Sequence, residues 1–101
     1  MFDPERPYQR SPSVSLRQES FGALVYDFGT RKLSFLKTRM LVDVVVGLES
    51  HDDVHAAMSA AGVPEAESAA YLRALAGLAS AGTITERGLS EREINTVREI
   101  P

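Results

Sequence analysis

His51 and His55, four residues apart in the run HDDVH, are the side chains here whose spacing most resembles a metal site. On a helix such a pair shares one face, as in the zinc proteases. Those enzymes need a glutamate directly after the first histidine and a third ligand elsewhere, whereas Asp52 follows His51 in a helix-start region rich in acids. The pair therefore reads as solvated surface. The 101 residues contain no cysteine, no glycine-rich phosphate loop and no Gly-x-Ser-x-Gly turn, so thiolate metal sites and the common nucleophile geometries are excluded. No carboxylates stand at a recognisable catalytic spacing. The expectation is a chain with no catalytic residue, no metal and no cofactor.

Charge gives a second constellation. Arg31, Lys32, Lys37 and Arg39 cluster within nine residues, which suits either a sheet edge protected by charge or a landing site for an acidic peptide. The net charge of −3 and pI near 5.3 argue against a nucleic-acid footprint. A winged-helix regulator reading DNA would load its third helix with cations, and the third helix expected here has only Arg73.

These cations sit on a β-hairpin, SFGALVYDFGTRKLSFLK from Ser20 to Lys37. Gly29-Thr30 between two apolar runs predicts a two-residue type II′ turn with the glycine at positive φ. Counting outward pairs Asp27 with Lys32, Tyr26 with Leu33, Val25 with Ser34 and Leu24 with Phe35. Leu24, Tyr26, Leu33 and Phe35 then share a face expected to be buried, and Asp27 and Lys32 pair as opposite charges on the other. A two-residue turn would also make Tyr26–Leu33 and Leu24–Phe35 the hydrogen-bonded pairs. Lys32, Ser34 and Leu36 would then aim their N–H and C=O groups at the open edge. SVSLRQE from Ser13 alternates as a strand preceding the hairpin, giving a three-stranded meander.

Beyond Lys37 the period changes. Thr38 is placed as an N-cap for a helix with Leu41, Val44, Val45 and Leu48 at i, i+3, i+4 and i+7, although LVDVVV is rich in β-branched residues. Ser50 and Asp53 have capping-box spacing for a second helix ending at Gly62, and Pro64 opens a third that ends before Gly82. In the third helix Leu78, Tyr71, Leu75, Ala79, Leu72 and Ala76 spread over roughly 160°. That exceeds the stripe needed for one core, so a second neighbour or a ligand must cover part of it. Gly77 marks either a close backbone approach or simple tolerance. Thr83–Thr85 suits a short wing strand, and Ser90 with Glu93 could cap a short C-terminal helix.

The whole is an α+β chain: a small winged-helix-like fold, three antiparallel strands followed by three helices. Its length suits one domain over residues 13–86, between a flexible proline-containing tail, 1–12, and a polar tail, 87–101. No apolar run approaches the roughly 20 residues that span a bilayer, and the N-terminus lacks signal-peptide character, so a cytoplasmic location and no membrane partner are expected.

The hairpin string FGALVYDFGTRKLSFLK and this order of elements resemble the PqqD-like family, peptide-recognition modules of ribosomal peptide modification pathways. The resemblance covers about residues 11–86. It implies a non-catalytic chaperone that captures the leader of a precursor peptide as an added strand, in a groove between the third strand and the third helix. It further implies presentation to a radical S-adenosylmethionine enzyme, to which the chemistry and its iron–sulfur clusters belong. Carried over by position, the peptide-binding residues would be Arg31, Lys32, Leu33, Ser34, Phe35 and Leu36, facing Tyr71, Leu75 and Leu78. Bottom-up, a DNA regulator and an edge-to-edge homodimer remain the alternatives.

Overall fold

The computed structural model describes residues 2–87; the expected C-terminal helix from Ser90 lies outside them. An antiparallel meander, β2 (Val14–Glu19), β3 (Gly22–Asp27) and β4 (Lys32–Leu36), is followed by α1 (Arg39–Gly47), α2 (Val54–Ala61) and α3 (Ser68–Ser80). A separate two-stranded sheet joins β1 (Tyr8–Arg10) to β5 (Ile84–Glu86). The expected α+β architecture is present, and β3 pairs with β4 in the expected register, Asp27 with Lys32 through Leu24 with Phe35.

The loop that sets this register differs from the one expected. Arg31, not Gly29, holds a positive φ, of 63°, and its N–H donates to the Asp27 carbonyl at 2.6 Å. Phe28–Arg31 is therefore a four-residue loop closed by Asp27 and Lys32. The Asp27 side chain explains the preference. Its Oδ1 accepts from the backbone N–H of Gly29 at 2.8 Å and of Thr30 at 3.3 Å, and from the Ser13 hydroxyl at 3.0 Å. The expected Asp27–Lys32 ion pair is absent because the carboxylate turns inward to hold the loop, leaving Lys32 exposed.

The sheet also buries the face opposite to the one expected. Ala23, Val25 and Leu36 are at most 1% exposed, whereas Leu33 and Phe35 are 57% and 54% exposed. The reason is closeness of packing: the inner face carries small or branched side chains on which α1 can settle, and its Val42, Val44 and Val45 are buried there. Each fully buried Val or Leu contributes about 1.5–3 kcal/mol, which outweighs the weak helix propensity of a valine-rich segment. Gly22 belongs to the same constraint. With φ 153°, a Cβ on it would meet the Leu36 carbonyl oxygen at 2.0 Å, so only glycine lets β3 pass the end of β4.

Helix ends follow local chemistry. Thr38 Oγ1 accepts from the Leu41 N–H at 3.0 Å, capping α1 as expected. Asp53 alone caps α2, accepting from Ala56 N–H at 2.8 Å, while Ser50 ends a 3-10 turn, Leu48–Ser50, rather than joining a capping box. After Pro64 a 3-10 turn, Glu65–Glu67, leads into α3.

Residues 2–12 are packed, contrary to the flexible tail expected. Tyr8 is 4% exposed, its ring 5.1 Å from that of Phe2, and its hydroxyl accepts from the Asp3 N–H at 3.0 Å. Arg6 ion-pairs with Glu86, and Ser11 bonds Thr83 through its N–H and Gly82 through its hydroxyl. A three-residue strand between prolines shows no period, and its partner is the distant Ile84–Glu86. The expected wing strand thus exists but pairs with the N-terminal segment instead of the meander.

Two expectations can be measured. Burial raises the Asp27 pKa, but hydrogen bonds from Gly29, Ser13 and Thr30 outweigh it and hold the carboxyl below its ordinary value. A depressed carboxyl contributes stability that is fully present above the unfolded value of about 3.9 and is lost as pH falls through the folded value. Asp27→Asn should therefore melt below wild type at neutral pH, and the gap should narrow on acidification below about pH 4, as read by circular dichroism. A Cβ at Gly77 would meet nothing within 4 Å, which decides for tolerance over close approach; Gly77→Ala should raise stability by up to about 1 kcal/mol in urea titration.

Candidate functional site

β4 is an edge strand, and its unpaired backbone groups are fixed by alternation. Phe28 donates its N–H to the Ser13 carbonyl at 2.8 Å, one step beyond the Val14–Asp27 pair. Phe28, Tyr26 and Leu24 thus direct their backbone groups to β2, and Asp27, Val25 and Ala23 direct theirs to β4. Their partners Lys32, Ser34 and Leu36 are the hydrogen-bonded residues of β4. Leu33 and Phe35 face outward. This reverses the assignment expected from a two-residue turn: a four-residue loop keeps the pairing but makes Asp27–Lys32 the closing bonded pair.

Beside this edge lies a groove of about 370 Å³ between the end of β4, the start of α1 and one side of α3. Phe35 and Leu36 form one wall and Ala70, Ala74 and Leu78 the other. The alanines, one helical turn apart, leave room for a side chain from outside. Tyr71 and Thr38 meet at the base, their hydroxyl oxygens 3.3 Å apart, which ties α3 to the cap of α1. Leu41 is a further apolar contact, and Lys37 is the cation on the lining. The groove can therefore hold an extended segment that pairs with β4 and inserts an apolar side chain.

Of the residues selected from sequence, Phe35, Leu36, Tyr71 and Leu78 come together here. Lys32, Leu33 and Ser34 lie exposed along the same edge, and Arg31 lies in the loop. Leu75 does not belong: at 0% exposure it is the residue by which α3 enters the core. Lys37 figures in the sequence only as part of the cationic cluster, and Thr38, Leu41, Ala70 and Ala74 are lining residues that sequence reasoning missed. The spacing Ala70, Ala74, Leu78 was the available signal, a small-residue stripe beside the apolar arc. A larger cavity of about 790 Å³ lies on the other flank of α3, toward Tyr8 and Ile84, but it has polar walls at Ser80, Thr85 and Glu86.

His51 and His55 are on different elements. His51 follows the 3-10 turn and its carbonyl accepts from Arg87 at 2.6 Å, while His55 is exposed in the first turn of α2. Among the described residues no helix is long and apolar enough to cross a membrane. The cation count of α3 stays at Arg73, so a DNA-reading helix is not favoured.

Comparison with known proteins bears on the same stretch. Over 78 residues the chain is 54% identical to the Peptide chaperone MftB of Mycobacterium ulcerans, covering 77% of this chain and 72% of that one. Over 86 residues it is 45% identical to the protein of that name in Mycobacterium tuberculosis, covering 85% and 79%. The Mycolicibacterium smegmatis protein of that name is 51% identical over 74 residues, covering 73% and 72%. No solved structure matches. The family described as the Peptide chaperone MftB family matches residues 7–85, a span that runs from the strand at Tyr8 through the groove to β5, and the chain belongs to that family.

Proposed function

We propose that this protein is a non-catalytic peptide chaperone of mycofactocin biosynthesis. It receives the leader of the ribosomally made precursor as a strand added to β4, and presents the precursor to a radical S-adenosylmethionine enzyme in the cytoplasm. The observation that carries this reading is the coincidence of an unpaired strand edge with an apolar groove alongside it. Main-chain bonds to the edge supply affinity for any extended chain, and the groove selects alternate side chains. Leu33 and Phe35 would exchange backbone hydrogen bonds with the leader. Leader residues opposite Ser34 and Leu36 would project into the groove toward Ala70, Ala74 and Leu78, with Tyr71 and Thr38 at its base. The cations Arg31, Lys32 and Lys37 favour acidic residues flanking the apolar ones.

The backbone alternation makes the test specific. Proline removes one N–H and is tolerated on an edge strand only where that N–H lies outside the ladder. Ser34→Pro breaks a bond to Val25 and should lower the melting temperature. Phe35→Pro should leave the chain folded, by circular dichroism, while calorimetric titration with synthetic precursor shows binding lost. A folded Phe35→Pro chain that binds the precursor like wild type overturns strand addition at this edge.

Side chains separate groove from core. Leu78→Ala should weaken precursor binding by about 1–3 kcal/mol. Leu75→Ala should instead cost about 2–5 kcal/mol of folding stability in urea titration.

A further inference from the structure

The groove beside β4 is apolar except where the start of α3 meets the start of α1. Lys37, Thr38 and Tyr71 supply its polar groups, and none of the described lining residues is a carboxylate. Glu67, one turn before Tyr71, is exposed outside the lining. Thr38 Oγ1 already accepts from the Leu41 N–H at 3.0 Å, and it lies 3.3 Å from the Tyr71 hydroxyl oxygen. Two hydroxyls carry two hydrogens, and the bond between them uses one. Whichever of them donates, one O–H is left without an acceptor among the described residues.

We propose that this spare hydroxyl and Lys37 form a subsite for a carboxylate of the leader, two residues along from its apolar anchor and on the same face of the added strand. The inference rests on the strand-addition reading above and adds the residue type that this part of the groove selects. A carboxylate answers both features at once: it accepts the spare hydrogen and balances the cation, whereas a peptide carbonyl leaves Lys37 unmatched. In the complex the bonds run one way, from the Leu41 N–H to Thr38, from the Thr38 O–H to Tyr71, and from the Tyr71 O–H to the carboxylate. Each bond polarises the next, and the phenol, the more acidic of the two hydroxyls, meets the anion. Spacing follows from the helix. The gap between Ala74 and Leu78, which admits the apolar side chain, is centred five residues from Tyr71, about 7.5 Å along α3. Side chains on one face of a strand repeat at nearly that distance, about 6.6 Å. An extended leader therefore fills the gap and the subsite together when an acidic residue stands two positions from an apolar one. The subsite reads sequence where the main-chain bonds to β4 read none.

The test is calorimetric titration of the full chain with synthetic leader peptides in which each Asp and Glu is replaced in turn by Asn or Gln. On the wild-type chain one replacement should weaken binding about tenfold or more. Lys37→Met/Tyr71→Phe keeps Thr38 as the cap of α1 and keeps the aromatic ring, so its melting curve should stay close to that of wild type. This variant should bind the unaltered leader about tenfold more weakly than wild type. The sensitive replacement should then cost it no more than about twofold, a coupling that a Tyr71 serving only to brace α3 would not produce. A replacement that costs the variant as much as it costs wild type overturns the proposal, and so does a leader in which no acidic residue is sensitive. Should the double variant melt early, Lys37→Met alone, at an exposed residue, carries the test on the same criterion. Failure of strand addition appears separately: the wild-type chain then binds no leader, or Phe35→Pro binds it like wild type.

Discussion

The Asp27 carboxylate, held by the backbone of the loop it precedes, is the interaction on which the working edge depends. By accepting from Gly29, Thr30 and Ser13 it closes a four-residue loop and sets Arg31 in the left-handed region. The last bonded pair of the hairpin is then Asp27–Lys32, and every second residue of β4 outward from Lys32 is committed to β3. Leu33 and Phe35 are left with free ladder groups. One carboxylate on the middle strand thus determines which amides at the edge are open, while its bond to Ser13 fastens β2 to the same corner.

Register was legible in the sequence because the connection is centred on Gly29-Thr30, and counting outward from that centre gives the pairing of β3 with β4. Hydrogen-bond parity was not. A two-residue turn at Gly29-Thr30 and a four-residue loop over Phe28–Arg31 give the same residue pairs, and they differ only in which pairs bond. The signal that separates them is Asp27 itself, a residue whose side chain readily bonds the backbone two residues on. Opposite charge across the strand points to Lys32 instead.

The buried face was misjudged for a related reason. Side-chain size suggests that Tyr26 and Phe35 belong inside, yet the face that α1 covers is the one with Ala23, Val25 and Leu36, all at most 1% exposed. The strand at Tyr8–Arg10 was illegible because its stability lies in contacts with Ile84–Glu86, more than 70 residues away. Period and propensity cannot report such a pairing. In α3 the excess apolar arc was legible as an excess, but not its division. Leu75 goes to the core, whereas Leu78 and Tyr71 are left beside the groove.

That division explains how so small a domain keeps a groove open. α3 buries one residue fully, Leu75, and packs Tyr71, Leu72, Leu78 and Ala79 partly against the core, so closing the gap means tilting the helix onto β4. Two other attachments oppose this. At its first turns the Tyr71 hydroxyl meets Thr38 at 3.3 Å, fixing the distance to α1. At its far end the Thr83 N–H returns to the Leu78 carbonyl at 2.8 Å, and the chain passes directly into β5, which is clamped by β1. The N-terminal strand is thus joined through β5 to the end of α3. Any tilt of that end of α3 toward β4 would pull on the β1–β5 ladder, in which Tyr8 and Ile84 are 4% and 1% exposed.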